Sequence, residues 1–214
     1  LEDARLTLRG TGQSLVTGIP QADGLLRGAT ALDIALTKTG DRIGVETARL
    51  SNAQARMDLT GFYDPAGSDL TADLALTNLR DLGPGFGGAL AANARATGTP
   101  DTGRLTLTGT GQDLRAGQAE ADRLLRGTST LRLALSLDQG RLRVEEARVA
   151  NPQVTAEATG LIEGDRRRID LTARLANLAL IVPEFPGVLS VTGTVREDAA
   201  GYDLDLRAQG PGQI

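Results

Sequence analysis

"TLRLALSLDQGRLRVEEARV", residues 130–149, carries the pattern on which the reading of the whole chain turns. Leu131, Leu133, Leu135 and Leu137 recur at every second position, with Arg132, Ala134 and Ser136 between them. Successive side chains of an extended strand point to opposite faces, so this spacing predicts a strand with one apolar and one polar side. Asp138-Gln139-Gly140 interrupts the run, and Leu142 and Val144 restart it between Arg141, Arg143 and Glu145. Two such runs joined by a short turn containing glycine predict an antiparallel hairpin.

The same alternation recurs along the chain. Ile169, Leu171, Ala173 and Leu175 stand against Asp170, Thr172 and Arg174, and the earlier half sets out Leu32, Ile34 and Leu36, then Ile43 and Val45, then Leu70, Ala72, Leu74 and Leu76. Turns at 39–41 (TGD), 64–68 (DPAGS) and 163–166 (EGDR) separate the runs. The two halves are copies. "LTLRGTGQSL" at 6–15 reappears as "LTLTGTGQDL" at 105–114, "DGLLRG" at 23–28 as "DRLLRG" at 122–127, and "RIGVETARLSNAQ" at 42–54 as "RLRVEEARVANPQ" at 141–153. The offset is 99 residues throughout, and about half of residues 6–61 are identical to their counterparts.

The phase persists where identity fades. Asn78, Pro84, Phe86 and Leu90 fall on Asn177, Pro183, Phe185 and Leu189, and Leu204 and Leu206 fall on Leu105 and Leu107. Repeats of this kind stack as units along one axis. The chain therefore reads as a module at 1–99, a second at 100–198 and the start of a third at 199–214, with about six hairpin-connected strands per module. Residues 119–127 (AEADRLLRG) and their twin near 22–28 break the strand pattern, and the first of them allows one or two helical turns closed by Gly127.

Of the 214 residues 40% are hydrophobic but only 2% aromatic, so apolar surface comes from Leu, Ala, Val and Ile. A net charge of −4 with no basic stripe argues against a nucleic-acid surface. Cysteine and histidine are both absent, which removes disulfides, thiolate zinc sites and the commonest general base. The chain begins at Leu1 without a signal segment and reads as a piece of something longer. Its most continuous apolar run, "LANLALIV" at 175–182, is interrupted by Asn177 and is far short of the about 20 residues that span a bilayer.

Candidate chemical motifs reduce to structural ones. "GPGFGG" at 83–88 lacks the Lys-Ser/Thr and the helix of a phosphate loop and reads as a connecting turn. "GTGQSL" lacks the strand-to-helix setting of a dinucleotide fingerprint and reads as a strand that ends flexibly. Glu145, Glu146 and Glu157 lack the aromatic platforms of a glycosidase cleft and read as solvated strand faces, and Arg166-Arg167-Arg168 reads as a hairpin tip. No metal, cofactor or catalytic residue is expected, and the chain is not expected to be an enzyme.

The apolar stripe is the feature that asks for a function. A closed sandwich or barrel would bury it, but an open-ended array of modules turns it into a continuous strip. Such a strip is a liability unless the sheet curls over it or an apolar ligand covers it. Acyl chains suit an aliphatic lining, each buried CH₂ contributing about 0.8 kcal/mol without directional demands. The expected fold is all-β, an elongated antiparallel sheet curled into a U-shaped groove. The expected lipid-contacting set is Leu32, Ile34, Leu36, Ile43, Val45, Leu70, Leu74, Leu76, Leu105, Leu107, Leu131, Leu133, Leu135, Leu142, Val144, Ile169, Leu171, Leu175 and Val191. A structural β-solenoid shaft of a surface or secreted adhesin-like protein is the alternative, and a closed lipocalin-like binder a third reading.

The 99-residue period, "LTLTGTGQDL", the block "ADRLLRGTSTLRLALSLDQGRLRVEEARVANPQVTAEATG" and "LANLALIVPEFPGVLSVTGTV" together resemble the TamB proteins of Gram-negative bacteria, within the AsmA-like group. The resemblance covers most of the chain. It implies a segment of a periplasmic shaft, a β-taco with an aliphatic interior, whose parent chain is anchored in the inner membrane. It also implies a translocation and assembly module in which an Omp85-type outer-membrane partner, TamA, takes part. In that setting phospholipid acyl chains, and nascent outer-membrane β-strands, are the implied cargo.

Overall fold

The structure, a computed structural model, describes residues 3–16, 18, 20–198 and 201–210. The strands of the first repeat are β1 (Ala4–Gln13), β2 (Ala29–Thr39), β3 (Arg42–Ser51), β4 (Ala55–Tyr63), β5 (Ser68–Leu76) and β6 (Phe86–Gly98). Those of the second are β7 (Thr102–Ala116), β8 (Thr128–Asp138), β9 (Arg141–Ala150), β10 (Val154–Glu163), β11 (Arg166–Leu175) and β12 (Leu189–Asp198), followed by β13 (Gly201–Gln209). The repeat boundary read from the sequence therefore falls between β6 and β7. The stretch expected to start a third unit contains β13, and its residues 199, 200 and 211–214 lie outside the described residues.

All of these strands form one sheet in chain order, β1 to β13, and each joins its neighbour antiparallel. The meander has neither the parallel coils of a β-helix nor the closure of a lipocalin barrel. Its length along the hydrogen-bonding direction is about 58 Å, from a strand spacing of about 4.8 Å.

Tight turns join the strands along one edge. At the β8–β9 turn Gln139 and Gly140 both have positive φ, 47° and 83°, as the twist of a two-residue hairpin demands. The other edge carries the longer connections: α1 (Pro20–Leu25), α2 (Ala119–Leu124) and two 3₁₀ turns at Leu79–Leu82 and Leu178–Leu180. The helical turn expected within 119–127 is α2, and its twin stretch carries α1 as well. Pro20 opens α1 at the position where its missing N–H costs nothing.

The sheet bends at two equivalent places. Along β3 the apolar parity changes from Ile43 and Val45 to Ala48 and Leu50, because an extra residue is inserted against β2 and β4. β9 repeats the insertion between Val144 and Ala147. A bulge of this kind bends its strand and increases the local twist. Opposite each bulge stands a glycine, Gly61 facing Val45 and Gly160 facing Val144. A Cβ on Gly160 would overlap the Arg168 carbonyl oxygen and crowd the Ile169 side chain. Gly160→Val is expected to destabilise the chain by about 1–3 kcal/mol in thermal or urea unfolding, as overpacked sites do. Gly67→Val, at a position with open space around its Cβ, serves as the control and is expected to change stability by about 0.5 kcal/mol or less.

Among the described residues there is no second layer. Only six hydrophobic residues among the described ones are buried: Leu26, Ala55, Leu76, Leu114, Val154 and Leu175. The accessible surface is 13,451 Å² for a 22.3 kDa chain, against about 9,400 Å² for a compact monomer of that mass. The excess is the surface a packed partner layer would have covered.

Candidate functional site

Cross-strand pairing decides which side chains share a face, because directly opposed residues in an antiparallel ladder point the same way. One row crosses the whole sheet: Leu6, Leu36, Val45, Gly61, Leu70, Ala96, Leu105, Leu135, Val144, Gly160, Ile169, Val195 and Leu204, one from each strand. A second row runs two residues along, from Leu8 and Ile34 through Leu59, Leu107, Leu133 and Leu171 to Leu206. A third includes Leu32, Leu50, Met57, Leu74, Leu131, Val149, Ala173 and Val191.

All nineteen residues expected from the sequence lie on this one face. Ile43 and Leu142 extend it toward the tight-turn edge, and Leu76 and Leu175 toward the helical edge. Those last two are 4% and 6% exposed, so they belong to the packed edge and not to the open wall. The sequence reading passed over Leu50, Met57, Leu59 and Val149, and the alanines of β6 and β10 (Ala92, Ala94, Ala96, Ala156, Ala158). Leu50 and Val149 follow the bulges, where the alternation changes parity. The sequence signal that would have found them is that change of parity between Val45 and Ala48, and between Val144 and Ala147.

The face carries two hollows. A hollow of about 560 Å³ lies among Leu70, Ala96, Leu105, Leu135, Leu137 and Leu142. A second, of about 500 Å³, lies among Leu107, Leu131, Leu133, Val149 and Leu171. Most of these leucines are half-buried, which is the burial that a neighbouring strand on each side gives without anything above.

The opposite face is a ladder of charge. Arg9 pairs with Asp33 at 2.9 Å, Arg49 and Arg56 both reach Asp58 at 2.7 and 3.0 Å, and Arg95 holds Asp69 at 2.6 Å. Two of the three carboxylates singled out in the sequence join it, Glu145 with Arg104 and Glu157 with Arg148. In the arginine run Arg168 pairs with Asp170 on this face, whereas Arg167 pairs with Glu197 at the tight-turn edge of the apolar face. The Arg56 hydrogen bond, helped by Arg49, lowers the Asp58 pKa, and Arg95 does the same for Asp69. Asp170 is held low by the Thr194 hydroxyl and then by Arg168. This side also has a depression of about 610 Å³ bordered by Arg56, Asp58, Asp73, Asn93, Thr108 and Arg132.

The repeated polar residues hold the helical edge. The Asn151 side-chain amide donates to the Leu124 carbonyl at 2.7 Å and to the Ser129 hydroxyl at 3.0 Å, and its oxygen accepts from the backbone N–H groups of Gln153 and Val154. Asn52 makes the same four bonds to Leu25, Thr30, Gln54 and Ala55. Ser129 and Thr30 are fully buried by these clamps. The strand end at "GTGQSL", read as flexible, is instead pinned by Ser14, which donates its N–H to the Gly28 carbonyl at 2.8 Å and accepts the Gly28 N–H on its hydroxyl at 3.3 Å, and the counterpart "GTGQDL" is held in the same way. Asp113, with left-handed backbone at φ 50°, donates its N–H to the Gly127 carbonyl at 2.9 Å and accepts the Gly127 N–H on its side chain at 2.8 Å. That backbone hydrogen bond is the main reason its pKa is lowered.

Comparison with known protein families, with curated proteins and with solved structures finds no match to this chain.

Proposed function

We propose that the chain is a non-enzymatic segment of a lipid conduit, its aliphatic face carrying phospholipid acyl chains. The observation that supports this reading best is the continuity of the apolar rows across all thirteen strands, with no layer of described residues packed over them. A domain ordinarily buries such a face against a second layer. An amphiphile whose tails lie in the trough supplies the missing apolar contact, while its polar end stays in water at an edge. Glycine and alanine interrupt each row, which leaves room above the sheet for a guest of variable shape.

The wider setting follows from the resemblance noted in the sequence. In it the parent chain is anchored in the inner membrane, crosses the periplasm, and works with TamA in outer-membrane biogenesis and protein assembly. Mass spectrometry of the purified chain is expected to find co-purifying phospholipid, and the delipidated chain is expected to take up a fluorescent phospholipid from vesicles. A chain that holds no lipid as purified and takes none up overturns the conduit.

A further inference from the structure

The apolar face is almost free of charge, and the exception has a position. Only Lys38, Arg167 and Glu197 are charged among its described residues, and all three lie in the row next to the tight turns. Arg167 and Glu197 neutralise each other at 2.7 Å. Lys38, exposed and without an ionic or hydrogen-bonding partner among the described residues, is the one uncompensated charge on that face. It is also the only lysine in the chain, whose other cationic side chains are all arginine.

Its surroundings place the cation where aliphatic wall meets water. Lys38 pairs in register with Ile43, Ile43 with Tyr63, and Leu36 lies one step deeper in the trough opposite Val45. A lysine stem covers apolar neighbours while its ammonium stays hydrated. Tyr63, 41% exposed, stands about 10 Å away, two strands along, with a hydroxyl at the same edge. The second module carries Leu137 and Ile162 at these two positions, so only the first module offers polar groups there.

Resting on the conduit reading, we propose that the edge of the first module beside Lys38 is a headgroup site, and that it selects lipids with an anionic phosphodiester headgroup over zwitterionic ones. The trough takes the acyl chains and Lys38 takes the headgroup charge. Selection by one exposed cation is modest, about two- to five-fold in affinity, and weakens as salt screens it.

The test compares uptake by the delipidated full chain from phosphatidylglycerol and from phosphatidylcholine vesicles. The net charge of −4 opposes general attraction to an anionic surface, so a preference for phosphatidylglycerol reports a local cation. The wild-type chain is expected to prefer phosphatidylglycerol. Lys38→Leu, which installs the second module's residue, is expected to remove the preference while leaving phosphatidylcholine uptake unchanged, and Lys38→Arg to keep it. Survival of the preference in Lys38→Leu overturns the headgroup site alone. Abolition of the preference by excess inorganic phosphate at constant ionic strength indicates a free-phosphate site and overturns the lipid assignment. Uptake of neither lipid overturns the conduit reading, and this one with it.

Discussion

Leu133→Asp is expected to lower phospholipid uptake by more than about ten-fold, a loss of at least about 1.4 kcal/mol, while leaving the β-sheet signal in far-ultraviolet circular dichroism unchanged. Leu133 lies in the middle of the second apolar row, opposite Leu107 on β7 and Ala147 on β9. It lines the hollow shared with Leu131 and Leu171. No described residue packs over it, so the new carboxylate keeps its water and the fold survives. With an acyl chain in the trough the same carboxylate must lose that water to hydrocarbon, and an unpaired charge in such surroundings is strongly unfavourable. The cost therefore falls on the loaded state. Leu171→Arg, on the same row, is expected to act alike. Leu161→Asp is the matched control, because Leu161 on β10 pairs with Arg143 and Arg168 on the charged face. It is expected to leave uptake at the wild-type level. Wild-type uptake by Leu133→Asp would remove the trough from the route.

That contrast between faces was legible in the sequence wherever the alternation was written in leucine. β8 and β11 could be read residue by residue, as could the 99-residue offset that divides the chain. What was not legible followed from two physical causes. The bulges at β3 and β9 shift parity by one residue, so Leu50 and Val149 look as though they belong to the outer face when counted from Val45 and Val144. In β6 and β10 the apolar face is built largely from alanine, which separates weakly from the polar residues beside it. The lack of a covering layer was foreseen only as a possibility, since periodicity states which side is apolar and not what lies above it. Asn52 and Asn151 were seen as repeated letters. Their work is long-range: each joins strand ends to a helical turn 27 residues away in sequence, which local pattern does not reveal.

Asn151→Ala is expected to destabilise the second module by about 3–5 kcal/mol, and to lower the midpoint of thermal unfolding by about 10 °C. The substitution removes four hydrogen bonds together. It leaves the Ser129 hydroxyl, at 0% exposure, and the Leu124 carbonyl without their amide partner, and frees the N–H groups of Gln153 and Val154. A neutral hydrogen bond contributes about 1 kcal/mol, and a buried group left unpaired costs about 1–3 kcal/mol more. In an open sheet with six buried hydrophobic residues among those described, that is a large share of the net stability. Asn151→Asp separates the two halves of the clamp. It keeps an acceptor for Gln153 and Val154 but sets a carboxylate against the Leu124 carbonyl, so it is expected to be no better than alanine. The equivalent clamp at Asn52 lies six strands away, about 29 Å, and shares no partner with Asn151. Modules that stack as independent units add their losses. Asn52→Ala and Asn151→Ala should therefore sum in the double variant, with hydrogen exchange accelerating first in α1 for one and α2 for the other. A loss below about 1 kcal/mol for Asn151→Ala would show that the helical edge is held by apolar packing at Val154 and Leu175 rather than by the asparagine.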